Sequence, residues 1–465
     1  MISNLLNILK NDERLFGWNI KVTTTSSYQL FFIRQQLDMN REVVTDDYDV
    51  TIFIKEESRT KTKVGSASFK IYSTMSEEEV KAKIDEQIVL SKYTLNQGYN
   101  LPKKVNLKPV TKEKSFFGYS LKEAAFIAAD ALFEADKYHD GYINSSEIFI
   151  DFEEIRFFDS NGNVFLYTKE SGKIELVVTW KSKEEEVELY RFFEFDKLDS
   201  PFIQSKANEL LLEARDRVMA VNTPELPIYK VLLSNDYVKE FFFYFVNKTR
   251  TDYIYAHISD YDVSYNIQKN NNKADLLTIR LEPTLKNSTK GMPFDNDGVA
   301  LKKLPIIEKG VVKNLWGSND KSQYLNKQVH GNYSNIVVNA GTLTSEDLVD
   351  ENYLEIVSLS DFSIDPITGD FGSEIRLAYL YSKGKEKQIV TGGSISGNVN
   401  MSLDTVRFTN ETVQLNNYIG PKKVMLEKIS INKGWWLWKI LMTKTHLQQW
   451  TLNLILFCHL WPSLL

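Results

Sequence analysis

The chain has 465 residues, of which 43% are hydrophobic and 25% are charged, and its formal net charge is −6. This length exceeds what one ordinary core requires, so two or three domains are expected. The acidic balance argues against sequence-independent binding to nucleic acid or to an anionic membrane, because both need a basic surface. A single cysteine, Cys458, excludes an internal disulfide framework and a zinc site made of cysteines alone.

The two ends of the chain differ sharply in composition. The first ten residues lack the basic segment, long apolar stretch and cleavage site of a signal peptide, which predicts a cytoplasmic protein. Residues 433–465 form an atypical apolar tail that contains no Asp or Glu. Its apolar run is shorter than the ~20 residues that a membrane-spanning helix needs. A frame-shifted extension is therefore preferred, ahead of a partner-binding segment and of a membrane anchor.

Residues 1–222 are predicted to form an N-terminal α+β domain. Three segments between residues 17 and 72 have the β-branched and aromatic composition of strands. Two capping boxes, Ser76 with Glu79 and Ser120 with Glu123, each predict the start of a helix. Four further strands are expected between residues 147 and 195, with hairpin turns at residues 161–162 and 171–172. A long helix should begin near Pro201 and end before a proline-containing break at residues 223–227.

Residues 223–432 are predicted to form a C-terminal β-rich domain, barrel-like or sandwich-like. A helix capped by Ser234 follows its first strand, and from about residue 276 the pattern is mostly that of strands. Lys309 and Gly310 join two of these strands in a hairpin, because glycine takes the positive φ that a tight turn requires. The fold class is therefore α+β, with antiparallel sheets and long helices in the first domain.

Residues 136–147 resemble the loop of an EF-hand calcium site. Asp136, Asp140, Gly141, Ile143 and Glu147 occupy the expected loop positions. The third position, however, is a tyrosine that supplies no carboxylate or carboxamide oxygen, and a strand follows where an EF-hand needs a helix. A polar loop between a helix and a strand is favoured, and calcium binding is left open as the alternative.

The segment from Asp295 to Gly298 places two acids, an amide and a glycine together. Alternate residues of a strand point the same way, so Asp295 and Asp297 could converge on a cation. The same four residues are typical of a turn, because Asp and Asn accept hydrogen bonds from nearby backbone N–H groups. With no histidine or third acid in the segment, the turn is favoured. Nucleophilic catalysis has little support, because the five histidines are scattered.

The order of four segments resembles the TldD/PmbA family of metalloprotease-related proteins. These segments are "PFDNDGVALKKLPIIEKGVVKNLW" at residues 293–316, "NIVVNAGTLTSEDL" at 335–348, "DPITGDF" at 365–371 and "GGSISGNV" at 392–399. The resemblance extends over roughly residues 17–431 and is strongest in the second half. It implies a two-subunit cytoplasmic peptidase in which one subunit carries His-Glu-x-x-x-His on a helix, with a later cysteine, as a zinc site. The other subunit, of the PmbA or TldE type, lacks that motif.

This chain resembles the second kind of subunit. Its corresponding helix contains five consecutive aromatic residues, 241–245, and no histidine, and no His in the chain is followed by Glu. The resemblance therefore implies no catalytic residue, metal ligand or cofactor here, and zinc on a TldD-like partner. The expected function is that of a PmbA/TldE-like subunit of a metallopeptidase that degrades or processes unfolded peptides, with a homodimer when alone, and without nucleic acid or membrane as partners. The alternative is a stand-alone peptide-binding or scaffold protein.

The lining of a peptide cleft is predicted from the same segments. It comprises Asp295, Asn296, Asp297, Gly298, Gly393, Ser394, Ser396, Gly397 and Asn398. Unfolded peptide would bind there mainly through its backbone at a strand edge, which requires no particular side-chain sequence.

Overall fold

The computed structural model describes residues 1–433, apart from residues 60, 112–115, 117, 270–272 and 350. Apart from Lys433, the predicted tail lies outside the described residues, and the domain limits at 222 and 432 stay predictions. Strand content of 44% against 21% helix confirms the α+β class. Among the described residues, no helix combines the length and the apolar character needed to cross a bilayer.

The first half of the chain alternates long strands with four helices. Its elements are α1 (Ile2–Lys10), β1 (Gly17–Ile33), β2 (Gln36–Glu57), β3 (Thr62–Ile71), α2 (Glu77–Lys92), β4 (Asn96–Gln97), β5 (Val110–Thr111), α3 (Leu121–Phe133), β6 (Gly141–Asp159), β7 (Val164–Lys181), β8 (Glu186–Phe195) and α4 (Ser200–Val218). Both predicted capping boxes are confirmed at the starts of α2 and α3, where serine and glutamate bond each other's backbone N–H groups. The helix predicted near Pro201 is confirmed as α4, which Asp199 caps.

The strands of this half form one sheet in the order β4-β3-β2-β1-β6-β7-β5, with β8 also paired to β7. One face of the sheet is covered by helices: α1 and α2 share a core cluster with the start of β1, and α3 and α4 share another with its end. On the opposite face, Phe157 and Phe165 pack against Phe294 of the second half. The N-terminal sheet is therefore the surface on which part of the C-terminal half rests.

One predicted turn in this sheet is wrong. Asn161 and Gly162 do join β6 to β7, with φ +83° at Gly162. Ser171 and Gly172, by contrast, lie inside β7, which runs without interruption from residue 164 to 181. Gly172 is opposite Phe195 of β8, and a Cβ at that glycine would be 2.1 Å from the Phe195 ring. The glycine thus makes room for a ring across the sheet rather than for a turn.

The second half of the chain is built mainly of short strands. Its elements are β9 (Val221–Asn222), β10 (Leu226–Leu233), α5 (Asp236–Lys248), α6 (Thr251–Tyr255), β11 (Ile279–Glu282), β12 (Leu304–Glu308), β13 (Val311–Val312), α7 (Asn319–Tyr324), β14 (Asn335–Val338), α8 (Ser345–Val349), β15 (Tyr353–Leu359), β16 (Asp370–Tyr381), β17 (Gln388–Thr391), β18 (Ser394–Asn398), α9 (Val399–Ser402), β19 (Arg407–Phe408), β20 (Thr412–Leu415), β21 (Tyr418–Pro421) and β22 (Val424–Asn432). The hairpin predicted at Lys309 and Gly310 is confirmed between β12 and β13, with positive φ at both residues.

These strands form a closed barrel and a second sheet. The barrel has five strands, which pair in the order β15-β10-β22-β18-β16 and close through β15 and β16. The second sheet has the order β13-β12-β11-β14-β21-β20. Helix α5 shares one core cluster with strands of both. The predicted cap of α5 is wrong, because Ser234 donates its hydroxyl hydrogen bond to the Ile356 carbonyl, 2.6 Å away in β15, and Asn235 is the residue at the N-cap.

Candidate functional site

The predicted turn between Asp295 and Gly298 is confirmed by its hydrogen bonds. Asp295 is 3% exposed. Its Oδ1 accepts from the backbone N–H groups of Asp297 and Val299, at 3.0 and 2.9 Å, and its Oδ2 accepts from the Asn332 N–H at 2.9 Å. Gly298 closes the turn with φ +89°. The Asp295 carboxylate therefore organises the local backbone, and all three of these bonds are made within the protein.

The same turn joins the two halves of the chain. Asn19 in β1 donates to the Asn296 carbonyl at 3.4 Å, and the Lys21 ammonium donates to Asn296 Oδ1 at 3.2 Å. Gly298 lies directly on the N-terminal sheet, since a Cβ there would be 2.7 Å from the Phe157 ring. The predicted cleft residues 295–298 thus lie at a packed contact between the halves.

Asp297 continues this contact towards helix α7. Its Oδ2 accepts from the Asn319 backbone N–H at 3.0 Å, at the first residue of the helix. The Asn319 side chain in turn donates to the Asn100 carbonyl of the N-terminal half at 2.8 Å. The Asp297 carboxylate thereby fixes the start of α7, and the first residue of this helix is in turn hydrogen-bonded to the N-terminal half of the chain.

Burial dominates the electrostatics of the two acids. Burial and, to a smaller extent, the nearby Asp297 carboxylate raise the pKa of Asp295 to about 7, against the lowering effect of its three backbone hydrogen bonds. Burial also raises the pKa of Asp297, against the lowering effect of its bond from Asn319. A buried carboxylic acid that keeps its proton near neutral pH makes the stability of this contact dependent on pH.

Stability is expected to fall as pH rises because of Asp295. Unfolded aspartic acid loses its proton near its ordinary pKa of 3.8, whereas the folded chain keeps that proton to about pH 7. The folded state therefore binds more protons in this window, and the free energy of unfolding decreases with rising pH. Asp295→Asn removes the ionisation, so the stability advantage of the natural chain over this variant should shrink by about 1–3 kcal/mol between pH 5 and pH 8. Urea unfolding of both chains at the two pH values measures it.

The matched control for this experiment is Asp38→Asn, at an exposed position in β2. Its effect on the free energy of unfolding should be small at both pH values, because surface substitutions usually change stability by less than about 0.5 kcal/mol. If the difference between the natural chain and Asp295→Asn is the same at pH 5 and pH 8, Asp295 does not titrate in this range.

The second group of predicted cleft residues lies in and before β18. This strand pairs with β16 on one edge and with β22 on the other. Gly397 is packed closely, since a Cβ would be 2.6 Å from Ile429 and 2.7 Å from Phe371. Asn398 caps α9 through its Oδ1 and donates to the Asp370 carboxylate at 2.7 Å. Neither edge of β18 is free to pair with a peptide.

The structure places the two groups of predicted cleft residues in different cores. Phe294, beside the turn, packs in the cluster with the N-terminal sheet, whereas Ile395 of β18 packs in the barrel core. Gly393 directly precedes β18, Ser394 is the first residue of the strand, and Ser396 is exposed. Their role in a peptide cleft stays a prediction.

Helix α5 occupies the position at which the family resemblance implies the zinc motif. Phe241, Phe242 and Phe245 are fully buried. The Phe242 ring meets Phe408 of β19 at 5.0 Å between centroids and stacks on Tyr418 of β21 at 5.9 Å. The buried side of the helix offers aromatic carbon where a zinc ion needs imidazole nitrogen or thiolate sulfur. These residues do not fit zinc.

The end of α5 is hydrogen-bonded to one of the segments that carry the resemblance, residues 365–371, and to Asn400, which directly follows another. Lys248 is 6% exposed, and its ammonium donates to the carbonyls of Ile258 and Ile367 at 2.9 and 3.4 Å. The Tyr244 hydroxyl accepts from Asn400 at 3.0 Å. Burial lowers the pKa of Lys248. Sequence reasoning missed this cluster, because its partners are more than 100 residues away in the chain except for Ile258.

No metal cluster is formed elsewhere in the part of the chain that the structure describes. No group of three or more His, Cys, Asp and Glu side chains there is placed to hold an ion. The calcium-like segment adopts the favoured alternative, a loop that leads into β6: Asp136 accepts from the Ile143 N–H and from Gln35, and Glu147 lies inside the strand. The strand that follows the loop is confirmed, so the exiting helix of an EF-hand does not form.

Comparison with known proteins gives a family and a fold. Residues 227–433 match the PmbA/TldA metallopeptidase C-terminal domain. TldE from Thermococcus kodakarensis aligns with a TM-score of 0.71 at 15% identity, over 92% of this chain and 100% of TldE. A Thermotoga maritima protein named as a candidate modulator of a DNA gyrase gives 0.72 at 15% identity, over 92% of this chain and 99% of its own length.

A third solved structure, from Bacteroides thetaiotaomicron and also named as a candidate modulator of DNA gyrase, has a TM-score of 0.70 at 16% identity. It covers 93% of this chain and 97% of its own. No curated protein matches the chain. At these identities the solved structures show a shared fold, and the domain match at residues 227–433 supplies the family. Residues 227–433 of this chain therefore belong to the TldD/PmbA family.

Proposed function

We propose that this chain is a zinc-free, PmbA/TldE-like subunit of a cytoplasmic metallopeptidase that acts on unfolded peptides. Family membership supports a metallopeptidase-related function. In this proposal the chain supplies part of the peptide cleft, and a TldD-like partner carrying His-Glu-x-x-x-His supplies the zinc and the hydrolytic step.

The observation that carries the proposal is the packing of α5. A hydrolytic zinc site needs protein ligands and an open position for water. Around Phe242 the space beside the helix is filled by Phe408, Tyr418 and Phe241, with ring centroids 5.0 to 5.9 Å apart. Ligands and room for water are both lacking at this place. A subunit built in this way would contribute to peptide hydrolysis only together with a chain that holds the metal.

Peptide binding in this proposal involves side chains of β18 rather than its backbone. Both edges of that strand are already paired. Ser396 is exposed, whereas Ser394, the other serine of β18, is half-buried. Strand addition would have to use another edge, because an unpaired row of N–H and C=O groups is what a peptide backbone recognises.

Co-purification and hydrolysis test the proposal. The chain is expressed alone and with a TldD-like subunit, and each preparation is incubated with an unstructured peptide. We expect the two chains to co-purify, the lone chain to form a homodimer without activity, and the pair to cleave the peptide. A pair whose partner has its first motif histidine replaced by alanine should be inactive, since the zinc ligand is lost.

The alternative function, a stand-alone peptide-binding or scaffold protein, predicts the opposite result in the same experiment. If the chain is a peptide-binding or scaffold protein without an enzymatic partner, the two chains will not co-purify and peptide binding will not lead to cleavage. Cleavage by the lone chain would contradict both functions.

A further inference from the structure

Strand β8 is an edge of the N-terminal sheet, and one of its two sides is unpaired. It pairs with β7 along its whole length, residues 186–195 opposite residues 172–181. Apart from this pairing, the backbone of residues 186–193 makes no hydrogen bond to any described residue. The outer side of β8 therefore presents the row of free N–H and C=O groups that an extended polypeptide recognises when it adds a strand to a sheet.

The face of the sheet opposite the helices carries two exposed rings at β8. Glu194, near the end of the strand, is covered by the second half of the chain, where it bonds Lys290 and Asn416 at 2.8 Å each. Tyr190 and Phe192 point to the same face, because alternate residues of a strand do so, and both are exposed. In the described part of the chain no Lys or Arg lies over either ring. The two rings therefore have room for side chains of a partner.

Three glutamates on this face lack a cationic partner. Glu188 of β8 accepts one hydrogen bond, from the Asn144 amide at 3.0 Å. Glu175 of β7 accepts one from the Tyr190 hydroxyl at 2.9 Å. Glu147 of β6 lies directly opposite Glu175, and like charges in that arrangement destabilise a sheet. None of the three glutamates forms an ion pair with a described residue. A cation from outside the chain would offset their charge.

The basic side chains of the two strands are already engaged with other acids. Lys169 pairs with Glu153, Lys173 with Asp151, Lys181 with Glu186, and Arg191 with Glu213. The charge of the three free glutamates is therefore not neutralised from within β7 and β8. A second copy of the chain at this edge would bring its own glutamates to the same face and increase the repulsion. Charge complementarity accordingly favours a basic partner over self-association.

We propose that β8 binds an extended basic segment of a polypeptide, which adds to the N-terminal sheet as a further strand. On the open face, Lys or Arg side chains of this segment meet the carboxylates of Glu175 and Glu188 and the rings of Tyr190 and Phe192. On the other face, apolar side chains of the segment lie beside Leu189, which packs against the core under the helices. The inference rests on the proposed function in peptide processing, and adds to it the binding edge and a preference for alternating basic and apolar residues.

Fluorescence anisotropy with the full chain alone tests this inference with three short labelled peptides. The first alternates arginine with valine. The second has citrulline, a neutral isostere, in place of arginine, and the third has proline in place of valine. Proline leaves the charge unchanged, but it removes N–H donors and does not fit a paired strand. We expect the first peptide to bind roughly tenfold tighter than either of the others, with an affinity that falls as salt is added.

Charge removal on the chain supplies the second part of the test. Glu175→Gln with Glu188→Gln should weaken binding of the arginine–valine peptide roughly tenfold, because the two carboxylates nearest to the added strand are lost. Glutamine keeps an acceptor for the hydrogen bonds that these two residues receive. Glu56→Gln with Glu78→Gln changes the net charge equally at two exposed positions elsewhere, and should leave binding unchanged.

Three outcomes would overturn the inference. The first is that the arginine–valine peptide binds no better than the citrulline or the proline peptide, and the second is that the two double variants bind it equally. The third is that binding declines as the concentration of the chain is raised, because a second copy then occupies the edge. None of these measurements needs a partner or hydrolysis, so the proposed function is tested separately by co-purification and cleavage.

Discussion

Replacing Phe242 by alanine is expected to lower the free energy of unfolding by about 3–5 kcal/mol, the cost typical of removing a fully buried phenylalanine ring. Phe242 is 0% exposed and meets Phe241, Phe408 and Tyr418. Loss of the ring leaves a cavity in the core that joins the barrel to the second sheet. Urea unfolding followed by far-ultraviolet circular dichroism measures the change.

Two further variants make the Phe242 result specific. Phe242→Leu keeps most of the apolar volume and should cost less than the alanine variant. Phe192→Ala removes a ring that is 46% exposed, on β8, and should have a much smaller effect because little buried surface is lost. If Phe242→Ala destabilises no more than Phe192→Ala, the aromatic packing of α5 is not the core element described here.

The second large effect is expected from Gly298→Ala, at about 2–4 kcal/mol of destabilisation from backbone strain and overpacking combined. Gly298 has φ +89°, a backbone conformation that residues other than glycine rarely adopt. The new Cβ would also lie 2.7 Å from the Phe157 ring. That ring is fully buried and stacks on Phe165 at 5.6 Å, so it has little freedom to move away. Thermal and urea unfolding detect the loss.

Gly384→Ala is the control that separates the cost of backbone strain at positive φ from the cost of a steric clash with a neighbouring ring. Gly384 has a similar φ of +71°, but an added Cβ there would meet nothing within 4 Å. We expect it to cost about 1 kcal/mol, the part due to the left-handed backbone alone. Equal costs at Gly298 and Gly384 would mean that the turn does not press against the N-terminal sheet.

Local signals in the sequence predicted local structure well. The capping boxes at Ser76 and Ser120 fixed the starts of α2 and α3, because both partners of each box lie within three residues. Lys309 and Gly310 likewise predicted the β12–β13 hairpin from adjacent residues. The α+β class followed from the same local patterns.

Errors arose where a distant partner decides the conformation. Gly172 of β7 lies opposite Phe195 of the neighbouring strand β8, and Ser234 donates to the carbonyl of Ile356, which is 122 residues away. Neither partner is visible in a local pattern. The turn at Asp295 was predicted from its own residues, but its position against Phe157 depends on a contact between the two halves. The sequence therefore indicates the backbone conformation of this turn, but not the surface of the N-terminal sheet on which the turn packs.

At the candidate site, too, local features could be predicted from the sequence and contacts between distant residues could not. The absence of His-Glu-x-x-x-His from the helix is visible in the sequence, whereas the filling of the adjacent space by Phe408 and Tyr418 required the fold, since these rings come from β19 and β21.

The zinc content of the isolated chain tests the central claim most directly. The full chain is purified alone, incubated with excess zinc, freed of unbound metal by gel filtration and analysed for bound zinc and for protein. Far less than one zinc per chain is expected, because α5 offers phenylalanine rings where ligands are needed. One tightly held zinc per chain, together with peptide hydrolysis by that preparation, would contradict the account.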